Sequence, residues 1–298
     1  MNKKAAVIDG QEEAVRRKSL LAEILRRYFR NKPALFGTIF IIFLVIVALF
    51  ANLICDYQAM AIKQNPDIRL QAPSSAHLFG TDGLGRDIFA RMIHGAKISL
   101  GVSFIVVLFS STLGAFLGSL IALVGGKIDN LVMRCIDVFT CIPGMLLTLA
   151  LVASLGPGIR NLMIAISINM TIGFIRVIRA AVLSVVNQDY IEAARSYGTK
   201  TIRLVWHFVL PNAIGLLIVQ AAMSVAGTIL SIAGLSFLGM GIESPTPEWG
   251  AMLSEGRAFM RTFPYLILFP GLAIGLTTLS LNLMGDGLRD ALDPKLRD

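Results

Sequence analysis

Six apolar runs, each long enough to cross a membrane, divide this sequence and leave little room for a soluble fold. The hydrocarbon core of a bilayer is about 30 Å thick, so a helix needs roughly 20 apolar residues to span it. The predicted spans are 34–54, 98–124, 130–155, 162–185, 213–240 and 263–284. The composition agrees, because 55% of the 298 residues are hydrophobic and only 15% are charged. We therefore expect an all-α membrane protein with six transmembrane helices embedded in the lipid bilayer.

The basic residues are scattered along the segments that flank these runs. The chain carries 27 Lys and Arg residues against 19 Asp and Glu residues, a net charge of +8. No aromatic residues accompany the cations in a stacking motif, so the charge predicts membrane orientation rather than binding to a nucleic acid. Because basic residues concentrate on the cytoplasmic side of membrane proteins, the basic segment 1–33 is predicted to lie in the cytoplasm.

Six spans return a chain to the side on which it starts, so both termini are predicted to be cytoplasmic. The predicted parts are a cytoplasmic segment 1–33, a first span with an external loop 34–97, a five-helix core 98–286 containing a cytoplasmic loop 187–212, and a cytoplasmic tail 287–298. The first external loop departs from the positive-inside rule because it also holds basic residues. These are Lys63, Arg69, Arg86, Arg91 and Lys97.

A polar stretch, residues 189–212, separates the fourth and fifth apolar runs. Its Glu-Ala-Ala run 192–194 favours a helix, and Gly198 favours a turn. Residues 201–209 can form a second short helix, which Pro211 is predicted to end. The stretch is thus expected to fold as helix, turn and helix, with small side chains that let another protein approach its backbone.

The spacing in this stretch resembles the EAA signature of membrane permeases in ATP-binding-cassette importers. The matching residues are Glu192, Ala193, Ala194, Gly198, Leu210 and Pro211, with Phe208 where that family usually has Ile. In that family the loop forms a coupling helix that sits in a groove of a cytosolic ATPase subunit. The resemblance implies the same role for the matching residues, and Arg195 and Arg203 are candidate salt-bridge donors to the ATPase. An ordinary interfacial amphipathic helix is the alternative.

Three further segments are similar to the dipeptide and oligopeptide branch of these permeases. They are residues 80–100, which begin Gly-Thr-Asp-Gly-Leu-Gly-Arg-Asp, the proline-rich segment 243–253 and the carboxyl-terminal segment 283–295. The resemblance implies the type I importer permease fold in a bacterial or archaeal inner membrane. It also implies three kinds of partner: a second homologous permease, two cytosolic ATPase chains that bind the ATP and Mg, and an external peptide-binding protein. This chain itself would hold no cofactor and no metal.

Several side chains carry local predictions. In the glycine-rich run 79–87, Asp82 or Thr81 is expected to accept bonds from nearby backbone N–H groups while the glycines adopt positive φ. Trp249 is expected to act as an interfacial aromatic anchor in a rigid external elbow. Two small-residue pairs are expected to permit close helix contact, and they are Gly114 with Gly118 and Gly271 with Gly275.

Two predictions concern the third span. Pro143 is expected to kink it, because proline lacks a backbone N–H group and its ring clashes with the preceding turn. Arg134 and Asp137 lie three residues apart, a spacing that places them on one helix face and favours an ion pair.

The predicted span centres carry almost no ionisable residues, and the sequence has no nucleophilic triad, metal-binding cluster or paired catalytic carboxylate. A non-catalytic subunit driven by a partner ATPase is therefore expected. Uncharged polar residues in the spans are candidates to line a pathway, although hydrogen bonding between helices explains them equally well. They are Asn169, Gln220, Ser224 and Asn282. The rival interpretations are an ATP-independent channel, an ion-coupled carrier or a membrane scaffold, and, within the same family, import of nickel chelates or glutathione.

Overall fold

The computed structural model describes residues 22–186 and 188–292, and helices and turns build those residues, apart from one isolated β-bridge between Thr81 and Asp87. Parts of the predicted segments 1–33, 187–212 and 287–298 lie outside the described residues. The α-helices are α1 (22–30), α2 (Lys32–Leu49), α3 (Ala51–Ile54), α4 (Ile88–Val124), α5 (Gly126–Thr140), α6 (Gly144–Leu155), α7 (Ile159–Leu183), α8 (Asp189–Ser196), α9 (Thr201–Leu204), α10 (Leu210–Phe237), α11 (Trp249–Gly256) and α12 (Tyr265–Leu292). Two short π-helices cover Tyr57–Ile62 and Val205–Val209.

The described chain has five helices that are long and apolar enough to cross a membrane, and a bent pair can supply a sixth span. That pair is α5 and α6, which meet at an angle of 85°. A kink was predicted at Pro143, but the helix breaks completely there: α5 ends at Thr140 and α6 begins at Gly144. Proline disfavours the helical conformation of the residue before it and offers no N–H group, so a full break has a lower free energy than a continuous helix.

Two predicted helix boundaries were wrong, each for its own reason. Helix α4 begins at Ile88 rather than at residue 98, because Asp87 caps it by accepting a bond from the Ala90 N–H at 2.9 Å. Pro211 does not end a helix, since residues Thr201–Phe237 form one continuous helical run. A π-helix immediately precedes Pro211 and changes the hydrogen-bond register, so the missing N–H group of the proline falls in the first turn of α10.

Close glycine contacts fasten α4 to α7. A Cβ atom on Gly118 would lie 2.7 Å from the Ile175 carbonyl oxygen, and one on Gly114 would overlap the Phe174 side chain. This confirms the predicted close contact at the first glycine pair. The second pair makes no such close contact among the described residues, because a Cβ atom on Gly271 would meet only Leu253 Cδ2 at 3.9 Å and one on Gly275 would have no neighbour within 4 Å. The spacing alone cannot tell a packed face from an open one.

A buried charged cluster closes the end of the bundle where the segment 79–87 meets α11. Asp82 Oδ2 accepts bonds from Arg86 Nε at 2.7 Å and from Arg91 Nη1 at 2.6 Å. Glu255, which lies on α11, accepts from both arginines at 2.6 Å. Arg86 and Arg91 were counted above among the basic residues that depart from the positive-inside rule. Each is about 1% exposed and paired with acids, so neither presents a free positive charge.

The predicted capped turn in this region is confirmed. Asp82 Oδ1 accepts bonds from the Leu84 N–H at 2.8 Å and the Arg86 N–H at 3.0 Å. Gly80 and Gly85 adopt φ values of 80° and 75°, whereas Gly83 is not among the positive-φ glycines. Burial raises the pKa of Asp82, but the charges of Arg91 and Arg86 and the two backbone bonds outweigh burial and lower the pKa overall.

Trp249 was wrongly predicted to be an interfacial anchor. The residue is 1% exposed, and its Nε1–H donates to the Met92 carbonyl oxygen at 3.0 Å. Its ring fills the space beside Gly95, where an added Cβ atom would come within 2.9 Å of it. Trp249 therefore fixes α11 against α4 instead of facing a headgroup layer.

Candidate coupling surface

Helix α8 ends in a motif that depends on Gly198. The Gly198 N–H donates to the Arg195 carbonyl oxygen at 2.9 Å, and the Thr199 N–H donates to the Ala194 carbonyl oxygen at 3.2 Å. These two bonds form a Schellman cap, in which the residue after the helix adopts a left-handed conformation. Gly198 does so with φ of 73°, as the turn prediction required. The direction of the chain after α8 is thus set by a residue without a Cβ atom.

The inner side of the stretch 188–212 is fastened to two spans by an apolar cluster. Ile191, Leu204 and Val205 are 0–2% exposed and belong to one buried group with residues of α4 and α7. Those partners are Ala115, Ala122 and Leu123 on α4 and Ile178 and Val182 on α7. Burying each large aliphatic side chain contributes roughly 1.5–3 kcal/mol. A force on this stretch would therefore reach α4 and α7 together.

The eight predicted coupling residues do not share one environment. Six of them are exposed, namely Glu192, Ala193, Arg195, Gly198, Arg203 and Pro211. Leu210 is half-buried and Ala194 is buried with 8% exposure. Ala194 was expected to present a small side chain to another protein. It instead packs inward, where its small size lets α8 approach α4 and α7.

Polar contacts hold the stretch in place as well. Arg195 Nη2 donates to the Leu123 carbonyl oxygen at 3.3 Å, at the end of α4. A cation at a helix C-terminus complements the partial negative charge of the last carbonyl groups. Asn212 Nδ2 donates to the Tyr190 hydroxyl at 3.1 Å and to the Phe208 carbonyl oxygen at 2.6 Å. Asn212 therefore links the two ends of the stretch.

Two ion pairs connect α7 to α5 beside this stretch. Arg179 forms a bidentate contact with Asp129, with distances of 2.5 and 2.6 Å. Asp137 does not pair with Arg134 as predicted, since its Oδ1 accepts from Arg176 Nη2 at 2.8 Å. The three-residue spacing did not decide the partner, because Asp137 contacts Arg176, which lies 39 residues away in the chain. These two ion pairs thus join α7 to α5.

Large apolar side chains stand on the outer side of the stretch, and sequence reasoning missed them. Tyr197 is 90% exposed, Ile202 is 60% exposed and Trp206 is 54% exposed. A signal was present, because aromatic and aliphatic residues recur inside an otherwise polar segment. Together with Glu192 and Ala193, these three side chains define what we call the coupling surface.

The four candidate pathway residues are half-buried. Gln220 and Ser224 share a face of α10, four residues apart, whereas Asn169 lies on α7 and Asn282 on α12. The Asn169 amide lies against Gly144 at the start of α6, where an added Cβ atom would be 2.7 Å from Nδ2. Packing against the start of α6 thus explains the position of Asn169. Separately, the described residues contain no metal-binding group of His, Cys, Asp or Glu.

Comparison with known proteins gives two family matches. The family described as binding-protein-dependent transport system inner membrane component matches residues 110–298, more than half of the chain. The N-terminal transmembrane domain of oligopeptide transport permease C matches residues 19–73. The first match contains the whole coupling surface, and the second contains α2 and α3.

Curated relatives extend the likeness to nearly the whole chain. A dipeptide transport system permease protein of Alkalihalophilus pseudofirmus is 42% identical over 92% of this chain and 90% of its own length. A di/tripeptide transport system permease protein of Pseudomonas aeruginosa is 43% identical over 94% of each chain. A glutathione transport system permease protein of Escherichia coli is 43% identical over 92% of this chain and 90% of its own length. The all-helical bundle, the anchored stretch 188–212 and these matches lead to one conclusion: the chain belongs to the family of inner membrane components of binding-protein-dependent transport systems, the permease subunits of ATP-binding-cassette importers.

Proposed function

We propose that this chain carries peptides into the cytoplasm as one permease half of an ATP-driven importer, and that the coupling surface docks onto a cytosolic ATPase subunit. The observation that carries the proposal is the two-sided build of the stretch 188–212. Its inner side is buried against α4 and α7, and its outer side exposes Glu192, Ala193 and Tyr197. Such a segment can receive a push from a partner and pass it to the spans.

The rigid contacts define how the motion would spread. The glycine contacts join α4 to α7, the Arg179–Asp129 pair joins α7 to α5, and the apolar cluster joins α4 and α7 to the inner side of the stretch 188–212. Closure of the two ATPase subunits on ATP and Mg would displace the surface and rock these helices as a unit. Two packed arrangements of the bundle, open to opposite sides, would then alternate.

Energy supplied by a partner agrees with the placement of charge in the spans. Helix α10 has no ionisable side chain between Leu210 and Phe237. In α4 the acidic, basic and histidine side chains lie within the first ten residues, and in α12 the acidic and basic side chains lie within the last seven. Ion-coupled transporters commonly place such groups near the middle of the membrane, so this arrangement disfavours an ion-coupled carrier.

The orientation that fits this mechanism places both termini and the coupling surface in the cytoplasm. A second homologous permease would complete the pathway between the two chains, and two ATPase subunits would bind below them. An external peptide-binding protein would deliver cargo to the opposite face, near the buried cluster of Asp82, Arg86 and Glu255. No cofactor would bind to this chain itself.

The cargo proposed is a di- or oligopeptide, because the relatives described above are named for dipeptides and di/tripeptides. The glutathione relative favours a second candidate, and its identity of 43% equals that of the di/tripeptide relative. Glutathione is itself a small peptide, so one pathway could serve either cargo. Competition between the two in an uptake assay would separate these candidates.

The docking claim is tested by charge reversal on the coupling surface. Glu192→Lys should abolish co-purification of the ATPase from native membranes in mild detergent, because the exposed carboxylate on α8 would become a cation. The matched control is Asp67→Lys, which reverses an exposed acid in the first external loop and should retain the ATPase. Both variants should insert into the membrane at the level of the unmodified chain. Equal recovery of the ATPase with Glu192→Lys would contradict the proposed docking site.

A further inference from the structure

Two adjoining cavities share Lys97 in their lining, and the smaller of them is the more polar. It has a volume of about 360 Å³ and is lined by Asn52, Tyr57, His94 and Ile98 as well as Lys97. The other is an apolar groove of about 850 Å³ between α2, α4, α10 and α12. Lys97 lines both, so the smaller cavity, which we call the polar chamber, lies at the Lys97 end of the long apolar groove.

The polar chamber lies where the spans meet the aqueous phase. Asn52 belongs to α3, which ends at Ile54, and the long polar segment 56–87 follows. Lys97 is exposed and forms no ion pair with any residue that the structure describes. Long basic side chains near span ends extend toward the interface, where anionic headgroups lie. The chamber therefore offers an unpaired cation at headgroup level.

The walls of the chamber are fixed. His94 Nε2 donates to the Cys55 carbonyl oxygen at 3.0 Å, so the ring is held in one orientation. Tyr57 packs edge-on against that ring with a centroid separation of 5.0 Å. An amide, a phenol and a cation thus line a chamber that contacts within the chain hold in shape.

The groove is long enough to hold a lipid tail. It runs along α4 from Lys97 to Ser111, a distance of about 21 Å at 1.5 Å per residue. One leaflet of the hydrocarbon core is about 15 Å deep, half of the roughly 30 Å total. Apart from Lys97 and Ser111 the lining is apolar, and the Ser111 hydroxyl donates to the Leu108 carbonyl oxygen at 3.2 Å. The wall below Lys97 therefore presents aliphatic and aromatic surface to its occupant.

We propose that this pair of cavities is a binding site for an anionic glycerophospholipid. The headgroup phosphate would sit beside Lys97 in the polar chamber, and one acyl chain would fill the groove between α2 and α4. In the orientation proposed above, the lipid belongs to the outer leaflet. The site is distinct from the coupling surface, so its existence does not depend on ATPase docking.

The unpaired cation favours a lipid over a helix of another permease chain. Lys97 lines the groove and forms no ion pair among the described residues, so an occupant with a negative headgroup can pair with it where an apolar helix cannot. The lining mixes small residues, namely Ala48, Gly101, Ala221 and Ala222, with larger ones such as Phe104 and Leu108, and a flexible acyl chain can follow such an uneven wall.

Native mass spectrometry of the full chain, purified with its natural partners, tests the proposal with phosphatidylglycerol and phosphatidylcholine as probes. Lys97→Ala should lower the retained phosphatidylglycerol about fivefold, the usual effect of one basic residue near anionic lipid, and leave phosphatidylcholine nearly unchanged. Lys97→Arg should restore retention. Equal phosphatidylglycerol retention by the unmodified chain and Lys97→Ala would overturn the proposal.

A second pair of variants tests the groove itself. Gly101 lines the groove one turn from Lys97, and a Cβ atom there would have no neighbour within 4 Å. Gly101→Phe should therefore fill the groove without disturbing the fold and displace both lipids. Gly275→Phe, at an equally open glycine outside the groove, should retain them. Unchanged lipid retention by Gly101→Phe, or a Gly101→Cys cross-link to another permease chain, would show that a lipid does not occupy the groove.

Discussion

Replacement of Asp82 by Asn should destabilise the end of the bundle that holds the buried charged cluster of Asp82, Arg86, Arg91 and Glu255. The Asp82 carboxylate is 5% exposed and accepts four hydrogen bonds, two from backbone N–H groups and two from Arg86 and Arg91. An amide cannot carry the charge that both guanidinium groups need. It would also turn one N–H₂ group toward those cations.

The size of the effect follows from burial and from what remains. Removing one partner of a buried ion pair typically costs 3–5 kcal/mol. The low end, about 3 kcal/mol, is expected because Glu255 is partly exposed and still pairs with both arginines. The Nε and Nη2 atoms of Arg91 already lack hydrogen-bond partners in the described structure, so loss of the Asp82 carboxylate would leave this buried guanidinium with Glu255 as its remaining acceptor. At roughly 2–4 °C per kcal/mol, the midpoint of thermal unfolding should fall by about 6–12 °C.

The assay is the thermal midpoint in detergent, followed by size-exclusion fluorescence. Asp67→Asn is the matched control, because Asp67 is an exposed acid of the same loop. It should change the midpoint by no more than surface substitutions usually do, about 0.5 kcal/mol. If Asp82→Asn and Asp67→Asn gave the same midpoint, the stabilising role of the cluster would be refuted.

The same residue predicts how stability depends on pH. The pKa of Asp82 is lower in the folded chain than in the unfolded chain. Its ionised form therefore stabilises the fold above about pH 4 and loses that effect as the pH falls through the lowered folded pKa. The difference in midpoint between the unmodified chain and Asp82→Asn should accordingly shrink as the pH drops below about 4. A constant difference over that range would assign the effect to packing instead of charge.

Two further substitutions test the packing. Gly118→Leu should drive α4 away from α7, since even a Cβ atom would lie 2.7 Å from the Ile175 carbonyl oxygen. The yield of monodisperse protein should therefore fall sharply. Gly275→Leu, at a glycine with open space around it, should not lower that yield. Trp249→Phe should cost about 1–3 kcal/mol in thermal unfolding, because the Met92 carbonyl oxygen would lose its donor, whereas Trp206→Phe at a 54% exposed site should cost little.

The sequence predicted the features that depend on local chemistry. The apolar runs identified the spans because bilayer thickness fixes their length. Gly198 and the Asp82 turn were predicted because positive φ and side-chain capping involve only neighbouring residues. Gly118 was predicted from its spacing, but Gly275 shows that the same spacing also occurs on a face that is open within this chain.

The features that failed depend on contacts between distant segments. The start of α4 at Ile88 was hidden because Arg91 and His94 look like loop residues, yet both are buried by other parts of the fold. Asp137 pairs with Arg176 on α7 instead of with Arg134 on its own helix, and the chain breaks before Pro143. The inward position of Ala194 could not be read from its helix propensity, because it follows from where α4 and α7 end.

ATP-dependent peptide uptake is the most direct test of the central claim that the coupling surface transmits the work of an ATPase. The full importer, reconstituted in vesicles with its binding protein outside and ATP inside, should accumulate labelled dipeptide only while ATP is present. Glu192→Lys should abolish accumulation even though the chain remains inserted, and Asp67→Lys should not. Uptake that continued without ATP, or at the normal rate with Glu192→Lys, would contradict the account and favour a carrier that works alone.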